Sequence, residues 1–196
     1  IVVGAGPVGL SLALMLSQQS IPVIVLESNA GPVVDYRAST FHPPTLEMLE
    51  PSGLTEWLLS AGIKCRTFQY RDRNEGLVAE FDLGMLKDDT RYPYRLACEQ
   101  FKLADHILDR LKDSSLAEVR FSHTVQSVEQ DSEGVRVKVD TPQGPHEFNG
   151  SWLVGADGGR SAVRRSLGIK LGGLAYPGSI VGAGTLCQIN QVAVSI

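Results

Sequence analysis

Residues 1–27, IVVGAGPVGLSLALMLSQQSIPVIVLE, run from an apolar stretch through a glycine-rich turn and an amphipathic stretch to a second apolar run ending in an acid. Ile1–Val3 reads as a buried parallel strand, Pro7 to about Gln19 as a helix, and Pro22–Leu26 as a second strand, together a β-α-β unit. Pro7 suits the first helical turn, where its missing N–H costs nothing. Val8, Leu12 and Met15 fall on one helical face with Leu10 and Leu14 beside them, and that face is expected to be the buried one. Phosphate chemistry explains the glycines. Gly4 permits the tight turn, Gly6 leaves room for a pyrophosphate against the backbone, and Gly9 lets helix and strand approach. The free N–H groups at the helix start then face the anion. Glu27 closes the second strand, where a carboxylate can accept hydrogen bonds from both hydroxyls of a ribose and would repel a 2′-phosphate. The bland alternative, a glycine-rich turn plus a surface glutamate, leaves this order of strand, turn, helix and acid unexplained.

Bulk properties exclude several classes. The 196 residues are 43% hydrophobic and 20% charged, ordinary for a globular chain long enough to bury a core. A net charge of −4 offers no basic footprint for nucleic acid. Cys65, Cys98 and Cys187 are odd in number and widely spaced, which fits a reducing cytoplasm and neither a disulfide framework nor a metal site. No apolar run is long enough to span a bilayer. The sequence opens on a strand residue without a methionine, so its true start is expected upstream, and a removed targeting segment stays open.

After Glu27 the regular alternation stops. A polar loop leads into Phe41–His42–Pro43–Pro44, and Leu46, Leu49, Leu54, Trp57, Leu58 and Ile63 follow on short helices broken at Pro51 and Gly53. Cys65–Arg71 and Leu77–Phe81 read as paired strands around a polar turn. Glu99–Leu111 is an amphipathic helix with Phe101, Ala104, Leu108 and Leu111 on one face and Ile107 adjacent. Val119 and Phe121 begin a strand. Val125–Glu129 and Val135–Asp140 read as a hairpin whose valines alternate with polar residues. Trp152–Val154 is a further strand, entering the turn GADGGRSAVRRSLG. Leu171–Ile196 contains no charged residue, and neither strand nor helix physics accounts for it; an altered end, disorder or an exposed apolar edge is the expectation there.

Other motifs are weaker. Asp157 in its glycine-flanked turn either caps a helix starting near Ser161 or serves a sugar or cofactor, and the residues alone leave both open. Arg160, Arg164 and Arg165 could meet a pyrophosphate or form a solvated helix face. Arg37 and Gln100 carry no signal in isolation, and Tyr70, Tyr92, Tyr94 and Tyr176 read as packing residues. The four histidines show no metal-ligand spacing, and no GxSxG elbow occurs.

Four segments in order, GAGPVGL with Glu27, YRASTFHPPTLEML, YRLACEQFKLADHIL and VGADGGRSAVRRSLG, resemble the FAD-dependent aromatic-ring hydroxylases of the p-hydroxybenzoate hydroxylase fold. The resemblance is nearest to the phenol and hydroxyphenylpropionate hydroxylase branch and covers about residues 1–170. It implies an α/β fold, a Rossmann-like FAD-binding domain with an inserted β-rich part of a substrate domain and a missing C-terminal part. The implied blocks are 1–64 (FAD-binding β-α-β and following helices), 65–97 (inserted strands), 98–170 (the rest of the FAD domain) and 171–196 (atypical tail). By resemblance, Gly4, Gly6 and Gly9 hold the FAD pyrophosphate, with Pro7 and Val8 between them, and Glu27 with Ser28 holds the adenosine ribose. Arg37 approaches the pyrophosphate and flavin, Gln100 the ribityl region, and Val125 the adenine. Asp157 and Gly158 match the Asp-Gly motif that serves FAD and the nicotinamide cofactor, and Arg160 and Arg164 its NAD(P)H-binding part.

The implied reaction is hydroxylation of a small phenol-like substrate with NAD(P)H and O2 through a flavin C4a-hydroperoxide, in a cytoplasmic protein that is a homodimer at full length. No catalytic acid or base is named, because the flavin carries the hard chemistry. The alternatives are a non-catalytic FAD-binding remnant or another FAD oxidoreductase on this fold. The halogenase option drops, since Trp57 and Trp152 stand alone without a WxWxIP motif.

Overall fold

The structure is a computed structural model and describes residues 1–36 and 38–174. In chain order its elements are β1 (Val2–Val3), α1 (Pro7–Gln18), β2 (Val23–Leu26), β3 (Thr40–Phe41), α2 (Pro43–Leu49), α3 (Leu54–Ala61), β4 (Ile63–Cys65), β5 (Thr67–Asp72), β6 (Gly76–Asp82), β7 (Arg95–Ala97), α4 (Gln100–Leu111), β8 (Ala117–Arg120), β9 (Thr124–Gln130), β10 (Val135–Thr141), β11 (Gly144–Gly150), β12 (Val154–Gly155) and α5 (Ala162–Ser166). The described residues form two compact units, residues 1–34 with 101–173, and residues 35–100.

The first unit is built on a parallel sheet in the order β12-β1-β2-β8. Its central strands β1 and β2 are apolar because both of their faces are covered, whereas the edge strand β8 carries Glu118 and Arg120. Val3 and Leu26, with Ile1 and Ile24 beside them, turn to a core shared with Val125, Val128, Val137, Val139 and Val163. By alternation Val2, Val23 and Val25 face the other way, and α1 packs on the sheet. The face that α1 buries carries Gly9, Leu10, Ser11, Ala13 and Leu14. Val8 is 71% exposed and Leu12 and Met15 are only half-buried, which corrects the expected face. In α4 the buried residues are Leu103, Ile107 and Leu111, spaced four apart, rather than the stripe through Phe101 and Leu108.

The valine core is closed by an antiparallel meander, β9-β10-β11. The hairpin of β9 and β10 matches the expectation from alternating valines. The third strand does not follow from its composition, GPHEFNG, because glycine and proline weaken a strand. Pro145 is tolerated there because β11 is the edge of the sheet. Trp152, expected in a strand, is 82% exposed and precedes β12.

The second unit has its own leucine core: Leu46, Leu49, Leu54, Leu58, Leu96 and Phe41 are all nearly inaccessible. Thr55 Oγ1 donates to the Leu46 carbonyl, and Ser52 Oγ to Leu49 at 2.6 Å, so the broken helices satisfy their buried hydroxyls on one another. Strands β3-β7-β4 form one small sheet and β5-β6 a separate hairpin. Ile63, expected with the helices, lies on β4 and is 71% exposed. Asp72 Oδ1 accepts the N–H groups of Asn74 and Glu75 and fixes the hairpin turn. The compact units divide at 34/35 and 100/101, so residues 35–64 group with the inserted strands. The helices in that stretch pack on each other through these leucines.

Leu58 is fully buried, so Leu58→Ala is expected to destabilise the protein by about 2–5 kcal/mol. A shift of the urea unfolding midpoint to lower concentration, with unchanged slope, is the measurement.

Candidate functional site

All four parallel strands end on the same side, and the residues that follow β2 and β12 meet the turn after β1 at Gly4 and Ala5. The Gly4 N–H donates to Leu26 C=O at 2.8 Å, and Ala156 N–H to Val3 C=O at 2.7 Å. These bonds prolong the sheet on both sides of β1, so the turn after β1 lies between the loops after β2 and β12. A crevice at the carboxyl ends of strands, where the order turns outward from β1, is where doubly wound sheets take ligands.

The glycines have separate physical reasons. Gly4 has φ +103°, and a Cβ there would lie 2.5 Å from the Ala156 carbonyl oxygen. Gly9 would place a Cβ 2.0 Å from the Gly4 carbonyl oxygen, so α1 sits directly on the turn. Around Gly6, by contrast, a Cβ would meet no atom of the described residues within 4 Å. The turn is packed on its inner side and open at Gly6, as a backbone cradle for a bulky anion requires. Helix α1 has Pro7 in its first turn, no side-chain cap and no acidic residue there. Its N-terminal N–H groups and dipole are therefore not neutralised by the helix's own side chains.

Glu27 closes one wall. Its Oε2 accepts Ala5 N–H at 2.8 Å, tying the carboxylate to the glycine turn, and Ser28 Oγ lies 3.3 Å from Oε1. Asp157 closes the other. Its Cα would be 3.0 Å from a Cβ on Gly4. Asp157 Oδ2 accepts Ala162 N–H at 2.6 Å and Val163 N–H at 3.2 Å, which is the capping role. Its Oδ1 is buried with no partner among the described residues. A buried acceptor left open beside the cradle is what a ligand donor would complete. Gly158 follows with φ +72°.

The remaining predicted residues are spread more widely. Arg164 donates to the Gly159 carbonyl at 3.0 Å and Arg165 to that of Arg160 at 2.6 Å, bracing the turn before α5. Arg160 is exposed. The side chain of Val125 belongs to the valine core, at 7% exposure. Gln100 opens α4 and closes the second unit, its N–H bonded to Ala38 C=O at 3.1 Å. Arg37 and Tyr176 lie outside the described residues. Sequence reasoning missed Ala5 and Asn29. The first acts through its backbone N–H and the second through a contact with Glu27, and neither leaves a spacing signal.

A broad groove of about 1590 Å³ opens at the opposite, amino-terminal ends of the strands, lined by Ile1, Leu16, Ile21, Leu108 and Trp152 among others. None of the predicted site residues lines it. Among the described residues no cluster could hold a metal ion, and no helix is long and apolar enough to cross a membrane.

Residues 1–185 match the model of the FAD binding domain family. The chain belongs to this family. It is 35% identical over 181 residues to para-nitrophenol 4-monooxygenase of Pseudomonas sp. (strain WBC-3), covering 92% of this chain and 45% of that protein. It is 31% identical to a 3-(3-hydroxy-phenyl)propionate/3-hydroxycinnamic acid hydroxylase of Mycolicibacterium smegmatis, over 88% of this chain and 30% of that one. The crystal structure of p-nitrophenol 4-monooxygenase from Pseudomonas putida DLL-E4 superposes with a TM-score of 0.84 at 35% identity, covering 89% of this chain and 44% of that one. The chain thus spans less than half the length of these relatives. The aromatic-hydroxylase resemblance and its α/β fold hold, and the FAD-binding family fits the cradle: open at Gly6, flanked by two carboxylates, and lying on an uncapped helix start.

Two glycine substitutions separate packing from ligand space. Gly9→Ala is expected to lower the melting temperature and abolish FAD retention, because the new Cβ collides with backbone. Gly6→Ala, at φ −73° in open space, is expected to leave the melting temperature of the ligand-free protein nearly unchanged while weakening FAD binding. Differential scanning fluorimetry with and without FAD reads both.

Proposed function

We infer that this chain is the flavin-binding portion of an FAD-dependent monooxygenase that hydroxylates a phenol-like aromatic compound with NAD(P)H and O2. One observation carries the reading: the glycine turn, Glu27 and the unpartnered Oδ1 of Asp157 meet at one end of the sheet. The relatives lend the reaction class. Their names cover p-nitrophenol, hydroxyphenylpropionate and anhydrotetracycline, whose common chemistry is an aromatic ring bearing a hydroxyl.

Bound FAD supplies the redox chemistry, taking reducing equivalents from NAD(P)H and activating O2 for transfer to the ring. This chain's residues bind and orient. The Gly4–Gly9 turn cradles the diphosphate: the N–H groups of Gly6, Val8 and Gly9 donate to it, Pro7 fixes the helix start, and the helix dipole adds its field. Glu27, with Ser28, accepts from the adenosine ribose. Asp157 Oδ1 accepts a hydroxyl or N–H of the cofactor, held in place by the two amides on Oδ2, and Gly158 keeps its turn open. Arg160 and Arg164 are proposed to meet NAD(P)H. Arg164 spends one of its five N–H donors on Gly159 and keeps the others. Arg37, Gln100 and Val125 complete the proposed FAD contacts, Val125 through its backbone since its side chain is in the core. The cysteine pattern supports a cytoplasmic setting.

The purified chain incubated with FAD is expected to co-elute with flavin absorbance near one equivalent. Glu27→Ala should weaken binding by about 1.5–3 kcal/mol, through loss of hydrogen bonds to a charged acceptor. Isothermal titration gives the number. A chain that retains no flavin sinks the reading, and an unchanged Kd removes Glu27 from the site. NAD(P)H oxidation stimulated by a panel of phenols, and by none of the corresponding deoxygenated rings, tests the substrate class.

A further inference from the structure

The carboxylate of Glu27 is already engaged within the protein. Oε2 accepts one donor, Ala5 N–H. Oε1 accepts three: Asn29 N–H at 2.9 Å, Asn29 Nδ2 at 2.6 Å and, longer, Ser28 Oγ at 3.3 Å. The orientation of the Asn29 amide follows from its partner, because an ionised carboxylate only accepts, and the NH2 group must face it. Asn29 is held from the other side as well. Its carbonyl accepts Ser122 N–H at 2.7 Å, and His123 N–H donates to the Glu27 carbonyl at 2.8 Å. Ser122 adopts φ +56°, a left-handed conformation uncommon outside glycine. The loop after β2 is thus fastened to the loop after β8, and the Asn29 side chain passes that constraint to Glu27.

We propose that Asn29 is a positioning residue for the adenosine end of the cofactor site: it clamps Glu27 Oε1, so that Oε2, against the glycine turn, is the oxygen left for the ligand. This rests on the FAD reading above. An ionised carboxylate offers about four acceptor positions. Three donors crowd Oε1 and one occupies Oε2, so the spare capacity lies on the oxygen facing the turn. Removing the Asn29 amide deletes a charge-assisted bond and returns rotamer freedom to Glu27. Ligand binding would then have to freeze that freedom again.

The test uses the whole chain with Asn29→Ala, Asn29→Asp, Glu27→Ala and the double variant E27A/N29A. FAD affinity is measured by titration, and exchange of the Ala5 amide is followed by NMR without ligand. N29A is expected to bind FAD about 3- to 10-fold more weakly. Its Ala5 amide, bonded to Glu27, should exchange faster at an unchanged melting temperature. E27A/N29A should bind no more weakly than E27A, since Asn29 acts through Glu27. N29D sets a second carboxylate against the first, so its affinity should fall below that of N29A at neutral pH and recover on acidification. Wild-type affinity in N29A, or losses that add in the double variant, would overturn the assignment. If the wild-type chain takes up no FAD, the parent reading falls, while faster Ala5 exchange in N29A would still report the clamp, so the two fail separately.

Discussion

The contact between Gly9 and the carbonyl of Gly4 is the constraint on which the rest of the site depends. The place a Cβ of Gly9 would occupy is filled by that oxygen, so the helix descends onto the turn as closely as backbone permits. Because the helix sits there, its first N–H groups emerge beside Gly6, where none of the described residues comes within 4 Å of the place a Cβ would take. Because Gly4 takes a positive φ, the loop after β12 comes into contact with it and brings Asp157 alongside. Two glycines spaced five apart thus determine where a helix dipole, an open cradle and a carboxylate meet.

Stability and site placement come from different forces. Charged pairs on the meander, such as Lys138 with Glu129 at 2.8 Å and Arg136 with Asp131 at 3.2 Å, are about half exposed. Pairs of that kind contribute little beyond local order. The valines behind them bind the meander to the sheet by area removed from water. That core lies on the meander face and the α1 packing on the other, so the strand ends are left to carry polar groups. The residues that leave these strands are hydrogen-bonded to their neighbours, which gives the polar groups fixed positions.

What was legible in the sequence follows the range of the interaction. The β-α-β unit, the tight turn at Gly4 and the close approach at Gly9 were readable because each rests on spacing within one short segment. The buried face of α1 was misjudged because nearly every position of the helix is apolar or small, so periodicity cannot choose the stripe, and Val8 is exposed. The strand at Gly144–Gly150 was hidden because Pro145 is acceptable only at an edge, and edge status is a tertiary fact. The leucines of α2 and α3 announced burial without naming the core they enter, and they enter one separate from the nucleotide fold. Asn29 was invisible because its importance is a bond to a neighbour across a bend.

Asp157 shows why the two readings of one residue need not compete. Helix capping and cofactor contact stood as alternatives in the sequence, yet a carboxylate has two oxygens and the cap uses only one of them. Oδ2 takes two amides of α5, which fixes the group's rotation. Oδ1 is thereby held, buried and unpartnered, next to the glycine turn. A buried acceptor without a donor costs on the order of 1–3 kcal/mol, a penalty that a ligand hydrogen bond relieves. The cap therefore fixes the rotation of the carboxylate while using only one of its two oxygens.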